Sequence, residues 1–183
     1  MTLDDILQEF YGKALDLEER GRYAEAAEYY SLRAFAGLLK AEFCDGRSMR
    51  LAFAHTLEAI SADVRAGNKK RPTQLFTILS PLYEKMIGST DDPILQGLLN
   101  EWVGDAWLML GSSQALDRYE RAKRAYESQT EPGRNWAFEE EFDYAYWAVE
   151  AFLEATGEAL DSEEWEFEER IQFKLTLADD LAK

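Results

Sequence analysis

His55 and Glu58 stand three positions apart, and on a helix that H-x-x-E spacing puts an imidazole and a carboxylate on one face, where a metal ion could be held. A carboxylate-bridged di-iron bundle needs two such histidine pairs, and the chain contains one histidine. Helical geometry turns His55 away from the Phe53–Leu57–Ile60 stripe, so an exposed bystander is expected. Cys44 is the only cysteine, which excludes an internal disulfide or a thiolate zinc cluster and leaves a structural or idle thiol. Asp161, Glu163, Glu164, Glu166, Glu168 and Glu169 are dense enough to suggest calcium, but no glycine allows the sharp EF-hand turn and Trp165 and Phe167 interrupt the acids. A solvated, acidic helix start is the expectation. Arg118, Arg121, Lys123 and Arg124 with Tyr119 and Tyr126 form a basic, aromatic pattern that could meet nucleic acid; internal salt bridging is expected instead. There is no glycine-rich phosphate loop, Ser-His-Asp set or dinucleotide fingerprint. These patterns give no catalytic, cofactor-binding or metal residue, and none of these chemistries is assigned.

The chain has 183 residues with 46% hydrophobic and 13% aromatic side chains, enough to bury a sizeable core as one domain over 1–183. Its net charge of -16 is unevenly placed: residues 1–91 hold 12 Lys+Arg against 14 Asp+Glu, whereas residues 92–183 hold 8 against 22. From Asn135 to Glu169 there are 13 acids and no base, interleaved with Trp136, Phe138, Phe142, Tyr144, Tyr146, Trp147, Phe152, Trp165 and Phe167. Aromatics at that density point to a folded acidic face rather than a disordered tail. Its field, felt over a Debye length of about 10 Å, repels phosphates and attracts cations, so no nucleic acid is expected as a partner. Adaptation to a salty cytoplasm is an alternative source of the acidity, although it should spread charge over the whole surface. The charged opening MTLDDILQEF does not resemble a signal peptide, and no apolar run approaches a membrane span; a cytoplasmic protein without membrane partners is expected.

Apolar spacing is helical along nearly the whole chain. Leu3, Ile6, Leu7, Phe10, Ala14 and Leu17 form one stripe ending near Gly21; Tyr23, Ala26, Ala27, Tyr30, Ala34 and Leu38 form a second, closed at Asp45-Gly46. Met49, Phe53, Leu57, Ile60 and Val64 form a third, ending at Gly67. Thr73 is placed as the cap of a fourth helix, which Pro81 either kinks or splits. Asp91-Asp92-Pro93 starts a fifth through Leu95, Leu98, Leu99, Trp102, Ala106 and Leu110, and Ser112 or Ser113 opens a sixth after Gly111. A seventh runs from Phe138 to Gly157, and an eighth opens at a capping box of Asp161 and Glu164. Residues 171–177 also alternate with strand period; a strand there has no partner, so helix is expected. That helix is apolar on two sides, Phe167, Ile171, Leu175, Ala178 and Leu181 on one, Phe173 and Leu177 on another. Unless the chain itself covers them, Phe173 or Leu177 should lie in a homodimer contact through residues 165–181. The fold class expected is all-α: about eight helices in stacked antiparallel pairs at 3–43, 46–88, 93–130 and 136–182, or an irregular bundle.

Two stretches carry matching residues. In the first, Phe10, Ala14 and Leu17 precede the turn at Gly21 and Tyr23, and Ala26 and Tyr30 follow; in the second, Val103, Gly104 and Trp107 precede Gly111, and Ala115, Tyr119 and Ala122 follow. Small residues at Ala14, Gly104, Ala26 and Ala115 let two helix backbones approach while large ones fill the gaps beside them. This pattern resembles the tetratricopeptide repeat, over about a third of the chain. Lys13 stands where that family prefers leucine and Asn100 where it prefers tryptophan. The resemblance implies a superhelix whose concave face is lined by the first helix of each pair, here by Gln8, Tyr11, Leu15, Glu18, Glu19, Leu98, Glu101, Asp105, Leu108 and Met109. The set holds four acids and no lysine or arginine, so it suits a basic or amphipathic segment of another protein rather than a terminal carboxylate. A non-catalytic protein–protein interaction module is therefore the expected function. The alternative is a small enzyme or carrier that holds a cationic small molecule in the acidic, aromatic C-terminal half.

Overall fold

The computed structural model describes residues 2–43, 46–128, 157 and 167–183. Among them are seven α-helices and no strand: α1 (Leu3–Glu19), α2 (Tyr23–Phe43), α3 (Gly46–Arg65), α4 (Lys70–Ser89), α5 (Pro93–Met109), α6 (Gln114–Glu127) and α7 (Phe167–Ala182). The helix expected between Phe138 and Gly157, the Asp161–Glu164 capping box, Cys44 and most of the acidic run lie outside the described residues. Residues 171–177 are helical, which settles the ambiguous stretch.

Local chemistry sets the helix ends. Thr2 and Asp5 exchange side-chain and backbone bonds as a capping box at α1. Asp92 accepts from the Ile94 and Leu95 amides at 2.9 and 3.2 Å, with Pro93 at the first helical position of α5. The turns after α1 and α5 share one construction. Gly21 and Gly111 sit at φ of +68° and +74°, and each donates its amide three residues back while the next residue donates five back. This satisfies the last carbonyls of the helix in a conformation that an L side chain rarely adopts.

Two details at α4 differ from expectation. Thr73 does not cap the helix: it lies inside, its hydroxyl bonded back to the Lys69 carbonyl at 2.6 Å. The helix starts earlier because Pro72 falls in the first turn, where a missing N–H costs nothing. Pro81 does not split the helix, and the carbonyl of Thr77 that it leaves unpaired accepts the Ser80 hydroxyl at 3.4 Å.

The helices pack as neighbouring pairs, α1 on α2 and α5 on α6, with α3 against α2 and α7 against α6. Ala26 and Ala115 are fully buried, as the small-residue spacing predicts. One core cluster joins α1, α2 and α3 through Ala14, Leu17, Ala26, Ala27, Tyr30, Ala59 and Ala62. The larger one joins α3 to α7: Phe53 stacks on Tyr83 at 3.7 Å and meets Trp102 edge-on at 5.5 Å. Arg71, in the first turn of α4, reaches buried Asp63 of α3 as well as Glu28 and the Ala24 carbonyl of α2, tying three helices together.

Candidate helix seat on α5 and α6

The inner face of α5 carries two carboxylates one turn apart, Glu101 and Asp105, inside an otherwise uncharged helix. Facing them on α7 are two cations with the same spacing, Arg170 and Lys174. Arg170 grips Glu101 with Nε at 2.6 Å from Oε1 and Nη2 at 2.7 Å from Oε2. Lys174 Nζ bridges the two acids, 2.7 Å from Glu101 Oε1 and 2.8 Å from Asp105 Oδ2. From α6, Tyr126 donates its hydroxyl to Glu101 at 2.7 Å and Tyr119 donates to Asp105 at 2.8 Å. All four charged side chains are at most 7% exposed. The cluster is electrically balanced, two negative against two positive, and each carboxylate oxygen has at least one donor.

Glycines make the approach possible. A Cβ on Gly104 would lie 2.5 Å from Tyr119 Cε1, and one on Gly97, two turns earlier, would collide with the Tyr126 ring. Both tyrosine rings therefore pack against bare α5 backbone, and their hydroxyls reach the acids.

The proton affinities follow from this geometry. Burial alone would raise Glu101, but Arg170 and Lys174 overcome it and hold that carboxyl well below the usual range. Asp105 is also desolvated, shares only Lys174, and feels the neighbouring Glu101 charge; it is pushed up to about 6. Burial and the adjacent carboxylates push the Tyr119 and Tyr126 hydroxyls well above their ordinary value, so they stay protonated and donate to the acids.

The residues expected to line a concave face divide into two groups. On α1, Gln8, Leu15 and Glu19 are exposed and Tyr11 and Glu18 are half-buried. Glu18 accepts from the Tyr30 hydroxyl at 2.7 Å and from Arg65 of α3 at 3.0 Å. On α5, Leu98, Glu101, Asp105, Leu108 and Met109 are all buried. The leucines and Met109 belong to the main core and the acids lie under α7, so while α7 is in place none of the five is open to another molecule. Phe173 and Leu177 are half-buried and pack against that core.

The site residues that spacing arguments missed are Arg170, Lys174, Tyr119 and Tyr126 as one network. A signal existed: acids at i and i+4 within the apolar stripe of α5, and cations at i and i+4 beside the Ile171–Ala178 stripe of α7. His55 requires a correction. It is 1% exposed, with Nδ1 2.5 Å from Glu58 Oε2, its ring 6.1 Å from that of Tyr11, and Nε2 buried without a hydrogen-bond partner. The exposed bystander was argued from one stripe of α3, whereas Ala52, Ala59 and Ala62 give this helix a second buried side, with Ala52 packed against Gly37 of α2 and the other two joined to the α1–α2 core. The four cations of α6 are all ion-paired: Arg118 with Glu84 of α4, and Arg121, Lys123 and Arg124 with acids one turn away on their own helix. Among the described residues, no group of three or more His, Cys, Asp or Glu side chains converges to hold a metal ion, and no helix is long and apolar enough to cross a membrane.

Comparison of the chain with protein-family models, with curated proteins and with solved structures finds no match.

Proposed function

We propose that this protein is a non-catalytic protein–protein interaction module, a tetratricopeptide-like stack of helix pairs that takes a basic or amphipathic helix of another protein against carboxylates on its inner helices. One observation carries the reading: Glu101 and Asp105 already hold a helix through two cations one turn apart. A carboxylate pair at helical spacing, walled by tyrosines, matches the repeat of a basic helix and discriminates against an acidic one by leaving charge uncompensated. On α1, the exposed Leu15 and Glu19 offer the same combination of apolar anchor and acid on an open face. The net charge of -16 adds long-range attraction for such a partner.

The test is a thermal-shift series with an amphipathic helical peptide carrying lysines at i and i+4, its glutamate counterpart, and spermidine. Stabilisation by the lysine peptide alone, weakening as salt rises, is expected. Stabilisation by spermidine with none by the peptide would replace this reading with a carrier or enzyme for a cationic small molecule.

A further inference from the structure

We infer that α7 is an exchangeable occupant of the acid seat on α5 and α6, a ligand held in cis, and that the partner displacing it is a helix with two cations one turn apart and small or branched apolar residues at the positions next to the first cation and four beyond the second. This rests on the function proposed above and specifies both its ligand and its regulation.

Three observations converge. First, the polar part of the seat is more completely matched to α7 than the apolar part. Arg170 and Lys174 are almost fully buried, whereas among the described hydrophobic side chains of α7 Ile171 and Ala178 are buried outright, Phe173, Leu175 and Leu177 are half-buried against the core, and Leu181 is 47% exposed. By contrast α3, which is integral to the stack, buries Phe53, Leu57 and Ile60 together with four alanines. Buried ion pairs determine which helix fits and in what register while contributing little net stability over apolar packing, so α7 is held selectively rather than tightly. Second, among the described residues α6 and α7 leave a gap along their seam. A groove of about 510 Å³ runs along it, lined by Tyr126, Ile171 and Phe173 with Lys123, Gln172 and Thr176 at its edge. At that edge Lys123 Nζ and Gln172 Oε1 make a long contact of 3.4 Å. Third, the seat does not need α7 for its construction. Glu101, Asp105, Tyr119, Tyr126, Gly97 and Gly104 all belong to the α5–α6 hairpin, whose rings and acids are positioned by each other. With α7 gone the acids would face water in place of cations, so a displacing helix must itself supply two cations to restore the pairing it breaks.

The pattern α7 presents is Arg170, Ile171, Lys174 and Ala178, and that pattern defines the displacing helix. A cis ligand competes at an effective concentration set by its tether, so a trans helix must be the better match or must arrive where its own concentration is high.

A fluorescent peptide spanning residues 167–183 serves as the probe, followed by anisotropy against the full chain carrying Cys44→Ser, Lys123→Cys and Gln172→Cys. Bridging the two introduced thiols with a short bismaleimide ties α7 to α6. The unbridged chain is expected to bind the peptide at least tenfold more tightly than the bridged one. Adding Glu101→Gln with Asp105→Asn to the unbridged chain should abolish that difference. Equal affinity with and without the bridge, or no binding to the unbridged chain at millimolar peptide, overturns the exchange. A chain with Arg170→Glu and Lys174→Glu, checked for helix content by circular dichroism, separates the two levels of the reading. If the peptide binds this opened chain but not the unbridged one, the seat is real and α7 is simply a fixed part of the fold. If a folded opened chain also ignores the peptide, the seat as a helix-binding site fails with it.

Discussion

The hairpins α1–α2 and α5–α6 are built on one plan and used differently. Each turns at a glycine in the left-handed region with the same pair of backbone bonds, each sets a fully buried alanine, Ala26 or Ala115, at the start of its second helix, and each follows it four residues later with a buried tyrosine. Opposite those tyrosines the plans diverge. The first hairpin has Ala14 on its inner helix and lets Tyr30 reach Glu18, a side chain that is 22% exposed and shares its other oxygen with Arg65. The second has Gly104, which brings the Tyr119 ring onto the backbone itself, and its acids are shut off from water under α7. A repeated backbone geometry thus supports either a wet surface pair or a dry four-charge cluster. One methyl group on the inner helix accompanies that difference, together with whether the covering helix brings one cation or two.

The divergence should be largest when an acid is removed. Glu101→Ala strands Arg170 in the interior, leaves Lys174 with Asp105 alone, and is expected to cost about 3–5 kcal/mol. Glu18→Ala, which leaves Arg65 able to turn to water, should cost about 1 kcal/mol. Urea melts of the two variants read this directly, and equal midpoints would show that the buried cluster is no more demanding than its exposed counterpart.

Next in size is the glycine. Gly104→Ala must push aside a ring that is hydrogen-bonded to Asp105, and overpacking of that kind costs about 1–3 kcal/mol, part of it offset by alanine's better helix propensity. Gly12→Ala, on the open side of α1 with nothing within 4 Å of the new methyl, should instead stabilise by up to about 1 kcal/mol. Opposite signs in thermal melts are the expected result. Two stabilising changes would mean that the close approach at α5 is not tight.

What is legible in the sequence alone tracks how local each determinant is. Asp92-Pro93 announces the start of α5 because a cap and its proline are adjacent. Ala26 and Ala115 announce their burial because small residues recur beside large ones at helical spacing. His55 is buried, against the expectation from the Phe53–Leu57–Ile60 stripe, because alanines at 52, 59 and 62 form a second apolar face and methyl groups suffice where two helices come close. The acids of α5 were visible as a charged pair, but their partners lie 69 residues further on in the sequence for both Glu101 with Arg170 and Asp105 with Lys174. No periodicity reaches that far; only the packing of α7 onto α6 brings them together. The same packing explains why 171–177, whose alternation also suited a strand, is helical: Arg170 and Lys174 meet one pair of acids only if they lie on the same side, as i and i+4 do on a helix.

The smallest expected effect distinguishes the two acids of the cluster from each other. Asp105 is raised to about 6 from an ordinary 3.8, chiefly by burial, so the folded chain holds this proton more firmly than the unfolded one. Its contribution to stability is therefore fully present below about pH 4 and is lost as the pH climbs through 6, opposite in direction to Glu101, whose lowered value favours the folded state above its ordinary 4.5. Asn in place of Asp105 imitates the protonated acid in shape, still accepts from Tyr119, and cannot titrate. Asp105→Asn should thus match the wild type near pH 4 and gain on it between pH 4 and 7, by on the order of 1–2 kcal/mol. Denaturant midpoints of both proteins at three pH values across that window would show the gap widening. A gap that stays constant, or closes as pH rises, would mean that Lys174 keeps Asp105 ionised throughout and that the cluster is neutral at every pH where the protein is folded.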